Sequence, residues 1–236
     1  DIIGFTLQYE LSYTNLLNIL DLAGLPLRSC DRGETDPLVI AGGPCASNPE
    51  SLASFIDLFL LGEAEAAIEE IVDIYSQWEN NEQSKEELLA SLATINGVYI
   101  PSFYEIDYNQ QSEVTDFEAR NGAPDQIQKR VVKDLDNAFY PEKFIVPYMD
   151  IVHNRVNLEI ARGCTSGCRF CQAGMIYRPV RERSHERIEE LAEKLISSTG
   201  YEEMSLTSLS SGDYTRVEDL ATNLVKDYEE DKVSLA

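Results

Sequence analysis

The densest chemistry in the sequence is Arg162-Gly163-Cys164-Thr165-Ser166-Gly167-Cys168-Arg169-Phe170-Cys171, three thiols at the spacing C-x3-C-x2-C. Three sulfurs converge on one small inorganic object only from a loop, because a strand or helix would splay them. Gly163 and Gly167 permit the tight backbone such a loop needs. A structural zinc ion takes four ligands, and the remaining donors, His153, His185, Cys30 and Cys45, stand at no paired zinc spacing. An iron–sulfur cube is held by cysteine sulfur, and three thiolates leave one iron open. The missing fourth ligand favours a 4Fe–4S cluster, with zinc and unligated thiols as alternatives. His153 and His185 read as surface or helix-start residues, Trp78 as packing, and Cys30 and Cys45 as inert small residues.

The loop must be carried by regular structure on both sides. Before it, 156–161 reads as a strand; after it, Ser184 to Ser197 reads as a helix, then 203–209 as a strand, 216–228 as a helix, and 232 onwards as another strand beginning. The first part alternates in the same way. A strand at 1–7 precedes an apolar-periodic helix ending at Gly24-Leu25-Pro26, a usual stop signal. Pro37 to Ala41 is a second strand, running into Gly42-Gly43-Pro44. Asn48-Pro49-Glu50 reads as a helix start with Asn as cap. Ile56 to Leu61 is a third strand, and Ala64 to Trp78 an amphipathic helix with Ile68, Ile71, Val72 and Tyr75 on its stripe. Such alternation implies a parallel, doubly wound sheet with ligands at the carboxyl ends of the strands. Between the halves, 80–84 is a polar break, and Ser84 with Glu87 forms a capping-box pattern. Residues 97–101 and 103–106 read as a small hairpin, and 110–147 as an irregular connector. Both ends read as cuts of a longer polypeptide, since the chain opens on a strand without an initiator Met and closes on another.

Composition narrows the function classes. The chain has 236 residues, of which 43% are hydrophobic and 26% charged, a soluble globular profile. No apolar run approaches the ~18 residues of a membrane span, so no membrane association is expected. The net charge is −23, which argues against a basic nucleic-acid groove over the whole chain. Arginines are nevertheless concentrated at positions 162, 169, 178, 181, 183 and 187, with only Glu182 and Glu186 as acids among them. This island suits an anionic ligand, and its Arg178–Arg183 portion leaves RNA open as a partner. Five cysteines, an odd number, make no disulfide framework and suit a reducing cytoplasm.

Cys164-x3-Cys168-x-Phe170-Cys171, after a strand and before a helix, resembles the radical S-adenosylmethionine (SAM) superfamily. The resemblance implies that Cys164, Cys168 and Cys171 each bind one iron of a 4Fe–4S cluster and that SAM occupies the fourth. It also implies that Phe170 packs near the adenine, and that Ser210, Ser211, Gly212 and Asp213 match the glycine-rich stretch holding the SAM amino group. An electron donor such as flavodoxin or ferredoxin follows from the same likeness. Val39 to Pro44, Asn48-Pro49-Glu50 and Asp57 to Glu65 resemble the second half of a cobalamin-binding Rossmann-like domain, with Thr6, Gln8, Gly42 and Gly43 as the cobalamin-facing residues. Cys45 stands where many relatives have His, and the cobalt-ligating motif of such domains is not in this sequence. Gln172 to Ser184, with Lys129 to Asp136, resembles a bacterial group of cobalamin-domain radical SAM proteins; this adds architecture and no substrate.

The expected fold is α/β, a truncated cobalamin-binding-like Rossmann domain (1–79), a connector with a small hairpin (80–155) and the first part of a radical SAM (βα) barrel (156–236). The expected function is reductive SAM cleavage to start radical chemistry on an unknown substrate, with methyl transfer as one outcome if cobalamin binds. The alternative is a non-catalytic zinc- or cluster-binding interaction module.

Overall fold

The computed structural model describes every residue except Glu82, which lies in the polar break at 80–84, and Asp150. The chain forms two compact units, Asp1–Val132 and Lys133–Ala236. The expected connector, 80–155, is divided between them, because its apolar side chains join both cores.

In the first unit β1 (Ile2–Thr6) leads through α1 (Tyr13–Leu22) to β2 (Leu38–Gly42), and β3 (Leu58–Leu60) follows. The three strands are parallel and in consecutive order, with Ile2 opposite Leu38 and Ile40 opposite Leu58. β2 is apolar at successive positions because both of its faces are covered. Val39 and Ala41 pack with Leu16 and Leu20 of α1. Leu38 and Ile40 pack on the other face with Ala67 and Ile71 of α2 (Ala67–Glu79) and with Leu88, Leu89 and Leu92 of α3 (Lys85–Leu92). Ser84 starts α3 with the expected capping box, accepting from the Glu87 N–H while the Glu87 carboxylate accepts from the Ser84 N–H at 2.8 Å.

Three local expectations are corrected. No α-helix follows Asn48: Pro44–Ser47 and Pro49–Leu52 are separate 3-10 turns, and the Asn48 side chain caps neither. Proline keeps the residue before it out of the helical region, so the first turn cannot run into the second, and Leu52 is buried where the second ends. The buried stripe of α2 runs through Ala67, Ile71, Ile74, Tyr75 and Trp78, while Ile68 and Val72 are 39% and 46% exposed. The small Ala67 starts the stripe, which shifts it by one position. Finally, 97–101 and 103–106 do not pair with one another. β4 (Val98–Tyr99) adds antiparallel to β3, and the hairpin is β5 (Tyr104–Tyr108) with β6 (Val114–Ala119), the latter from the stretch read as irregular. Tyr104 stacks on Phe117 across it at 4.8 Å, and the abundant acids on the other face mask the alternation.

A buried ion network fastens the entry to β3. Asp57 accepts from Arg32 Nε and Nη2 at 3.1 and 2.9 Å and from the Val39 N–H at 2.8 Å, and Lys85 Nζ lies 3.0 Å from its other oxygen. The remaining Arg32 donors bond the carbonyls of Pro26, Leu27 and Phe55. At the far edge, Gly62 (φ 103°) and Gly97 (φ 91°) press on the backbone of Arg130. Arg130 donates its N–H to the Leu61 carbonyl at 2.8 Å and accepts from the Glu63 N–H at 3.1 Å.

In the second unit β7 (Val156–Glu159) is followed by β8 (Ala161–Arg162), the cysteine loop with the short α4 (Ala173–Ile176), and β9 (Arg181–Glu182). Then come α5 (His185–Thr199), β10 (Glu203–Thr207), α6 (Val217–Tyr228) and β11 (Ser234–Leu235). The main sheet is parallel in the order β7, β10, β11. Val156, Leu158 and Met204 meet Ile188, Leu191 and Leu195 of α5 and Leu220 and Leu224 of α6. Ser184 caps α5 by accepting from the Arg187 N–H at 3.2 Å. Among the described residues no helix is long and apolar enough to cross a membrane.

Removing one member of a desolvated ion pair leaves a buried charge unmatched, at about 3–5 kcal/mol. Asp57→Ala is therefore expected to lower the urea midpoint of the first unit sharply, while the exposed Glu34→Ala moves it little. Trp78, the one tryptophan in the chain, reports that transition by fluorescence; equal midpoints for the two variants would refute the assignment.

Candidate functional site

The three clustered cysteines lie on an excursion whose base is a two-stranded clasp. β8 and β9 pair antiparallel, Ala161 opposite Glu182 and Arg162 opposite Arg181, so residues 163–180 leave and return at one point. That point follows directly on the carboxyl end of β7, the edge where parallel sheets place their ligands. Gly163 has φ 88°, and a Cβ there would lie 2.5 Å from the Pro179 carbonyl oxygen and 2.7 Å from that of Tyr177. Glycine is thus required for the outgoing chain to lie against the returning one. The loop is tightened further by Cys171 N–H bonding the Cys168 carbonyl at 3.0 Å.

Buried charge holds the clasp. Glu159 accepts from Arg162 Nε and Nη2 at 2.8 and 2.9 Å and lies 3.3 Å from Arg183 Nη2. Arg183 is 1% exposed. Its other nitrogens bond the carbonyls of Glu159, at 3.1 Å, and of Leu135, and its guanidinium sits 5.1 Å from the Tyr140 ring centre. Burial acts to raise the Glu159 carboxyl, but the hydrogen bonds and charge of Arg162 and the charge of Arg183 outweigh it and hold Glu159 below the usual carboxylate range.

All three thiols are free, Cys168 exposed and Cys164 and Cys171 half-buried. The Cys164 thiol is pulled below its ordinary pKa, first by the Ser166 side chain and the Ser166 N–H, which reach its sulfur at 3.4 and 3.5 Å. Asp213 opposes this and Arg178 assists it, so both charges lie within electrostatic range of Cys164. The Ser210–Asp213 stretch is a tight turn after β10: Ser210 Oγ donates to Asp213 at 2.7 Å, and Ser211 Oγ bonds the Leu206 carbonyl at 3.3 Å. Tyr214 is buried beside it, with its hydroxyl on the Arg183 carbonyl at 2.8 Å, and Thr215 donates its N–H and hydroxyl to Glu182 at 2.9 and 3.1 Å. The fold therefore brings the cysteine loop and the Ser210–Asp213 turn to one edge. Phe170 is 92% exposed and touches no core.

Of the arginine island, Arg162, Arg183 and Arg187 pair with the unit's own carboxylates, Arg187 with Glu190 at 2.6 Å. Arg178 bonds the Gly174 carbonyl, and Arg181 those of Pro179 and Tyr177. His185 stacks on Tyr214 at 5.5 Å, and His153 is exposed beside Arg155. Among the described residues no three His, Cys, Asp or Glu side chains converge closely enough to hold a single metal ion.

In the first unit, Thr6 and Gln8 are exposed at the carboxyl end of β1. Gly43 (φ 95°) is bare for an internal reason: a Cβ would lie 2.9 Å from the Leu7 carbonyl oxygen. The Leu7 backbone thus occupies the space next to it, while a Cβ on Gly42 would meet Leu60 at ordinary contact distance. Burial raises the Cys45 thiol pKa, with the charge of Glu10 adding to the rise.

Residues 1–101 match the family model for radical SAM proteins, N-terminal, and residues 158–236 that of the radical SAM superfamily. Uncharacterized protein MJ0966 of Methanocaldococcus jannaschii is 27% identical over 95% of this chain and 41% of its own length. Threonylcarbamoyladenosine tRNA methylthiotransferase MtaB of Bacillus subtilis is 28% identical over 40% of this chain and 18% of its own. The radical SAM methyltransferase TsrM of Kitasatospora setae, solved with cobalamin and a 4Fe–4S cluster bound, superposes with TM-score 0.59 at 14% identity, over 99% of this chain and 43% of that one. The chain thus spans less than half the length of these relatives.

The Ser166 contacts give a pH test. In the metal-free protein Cys164 is expected to be alkylated at a lower pH than an ordinary thiol, because the thiolate is the nucleophile. Ser166→Ala moves that profile to higher pH; peptide mapping by mass spectrometry reads it, and an unmoved profile would contradict the geometry. With two α/β units, a thiol loop after the first strand of the second, and both family matches falling on those units, the chain belongs to the radical SAM superfamily, residues 1–101 matching its N-terminal model and residues 158–236 its superfamily model.

Proposed function

We propose that the second unit is the cluster-binding, SAM-cleaving part of a radical SAM enzyme, with Cys164, Cys168 and Cys171 as the three protein ligands of a 4Fe–4S cluster. The observation that carries this reading is the set of three free thiols on one clasped loop at the carboxyl end of β7. The donor set fits the group in type, number and openness. The chemistry such a cluster supplies when bound is one-electron reduction of the SAM sulfonium, giving methionine and a 5′-deoxyadenosyl radical. The chain's residues do the positioning. Ser166 holds the Cys164 sulfur toward its ligating, deprotonated form. The β8–β9 clasp fixes where the loop starts and ends. Ser210, Ser211, Gly212 and Asp213, at the same edge, receive the polar end of SAM, with Asp213 taking its amino group. Phe170, exposed on the loop, supplies an apolar face for the adenine. A one-electron carrier of flavodoxin or ferredoxin type is the reductant, and a reducing cytoplasm suits the free thiols.

Cobalamin is assigned no step. Neither His of the sequence lies in residues 1–132, and the Leu7 backbone occupies the space beside Gly43. Thr6, Gln8 and Gly42 remain the positions at which a corrin would meet the sheet edge. RNA contact through Arg178–Arg183 is not proposed, since Arg183 is buried and Arg181 is turned onto loop carbonyls.

Anaerobic reconstitution with iron and sulfide tests the reading. The expected result is about four irons with matching inorganic sulfide per chain, loss of both in Cys168→Ala, and release of 5′-deoxyadenosine from SAM after chemical reduction. One tightly held zinc with no inorganic sulfide would overturn it in favour of a metal-binding interaction module.

A further inference from the structure

The first unit contains a cavity of about 500 Å³ for which the cluster chemistry has no use. The buried Arg32, Ile56, Asp57, Leu89 and Phe103 line it, together with the half-buried Lys85. Asp57 immediately precedes β3, and Phe103 follows β4, which runs antiparallel to β3. The cavity therefore lies at the amino end of β3, away from the carboxyl edge that carries Thr6 and Gly42. The charges around it do not balance. Asp57 is the one buried carboxylate among the described residues, and Arg32 already donates to it from two nitrogens, at 3.1 and 2.9 Å. The other Arg32 donors are taken by the carbonyls of Pro26, Leu27 and Phe55. Lys85 is thus a second cation beside a single buried anion. Its Nζ lies 3.0 Å from the other Asp57 oxygen and donates to the Arg32 carbonyl at 3.2 Å. An ammonium has three N–H groups, so these contacts leave one for a further acceptor. Glu86, the other acid lining the cavity, is exposed at the rim and accepts from Asn121 Nδ2 at 3.3 Å.

We propose that this cavity binds a small organic carboxylate. The carboxylate accepts from Lys85 Nζ, and the apolar body lies against Ile56, Leu89 and Phe103. A cation partly withdrawn from water favours an anionic partner, because its remaining donor is then matched. One surplus positive charge suits a monoanion, and the apolar lining suits a hydrocarbon body; a phosphate dianion exceeds that charge and has no such body. The volume falls in the range of small-molecule sites, roughly 300–1,000 Å³. The site lies wholly in the first unit and does not depend on the cluster reading.

The test is a titration of the purified chain with hexanoate, and with hexanamide as its uncharged counterpart. Trp78 donates its Nε1–H to the carbonyl of Ser84, the residue before Lys85, at 3.1 Å, so its fluorescence reads occupancy. Wild type is expected to bind hexanoate saturably and about tenfold tighter than hexanamide, as a hydrogen bond to a charged group implies. Lys85→Met is expected to bind the two alike, while Lys85→Arg keeps the preference. Ser102→Phe, at the exposed rim, is expected to weaken both by filling the mouth. Equal binding of the two in wild type, a preference that survives in Lys85→Met, or no saturable binding of either, overturns the proposal. Displacement of hexanoate by an equal concentration of inorganic phosphate overturns the carboxylate assignment. If Lys85→Met does not fold, the wild-type comparison and Ser102→Phe decide. Iron and sulfide uptake is expected to be the same in all variants, so failure here and failure of the cluster reading are separate results.

Discussion

A buried guanidinium must find a partner for each of its nitrogens, since an unmatched charge in a low-dielectric interior costs several kcal/mol. Arg183 meets that requirement by drawing on two separated parts of the second unit: the Glu159 strand end, and the 135–140 segment through the Leu135 carbonyl and the Tyr140 ring. Its own carbonyl is then used by the Tyr214 hydroxyl. The return of the cysteine loop, the approach of residues 135–140 and the seat of the turn after β10 are thereby fixed together. The thiol loop itself is exposed and short of regular structure, so its position depends on this base.

The first unit is governed by the same demand. Asp57 is buried with Arg32 and Lys85 and the Val39 N–H around it, which locks the start of β3 to the start of β2. Its glycines answer a second demand, close backbone approach. Gly43 admits Leu7, and Gly62 and Gly97 admit Arg130. A Gly-Gly pair after a strand reads in sequence as a surface left bare for a ligand. Here one of the two is bare for the chain's own backbone, and only the fold distinguishes the cases.

The local signals were legible where one side chain and its near neighbours decide the outcome. The Ser84–Glu87 box, the Ser184 cap and the β–α alternation around 156–236 all formed where the sequence placed them. The readings that shifted depend on partners far along the chain. Val98–Tyr99 found the open edge of β3 rather than its neighbour, since an unpaired strand edge is filled by whichever strand reaches it. Val114–Ala119 became a strand because Tyr104 and Ile106 offered Phe117 and Ala119 an apolar face. Arginines 162, 183 and 187, which in sequence form a basic island, are matched by Glu159 and Glu190.

The sequence by itself determined the thiol spacing, the two α/β units and the superfamily, because these reside in residue type, order and periodicity. Only the tertiary structure decided that Glu159 clamps Arg162 and Arg183, that the turn at Ser210–Asp213 lies within electrostatic range of Cys164, and that Leu7 covers Gly43. Each of those depends on which distant groups share a low-dielectric neighbourhood. Spacing along the chain does not encode that; the packing of the sheet and its helices does.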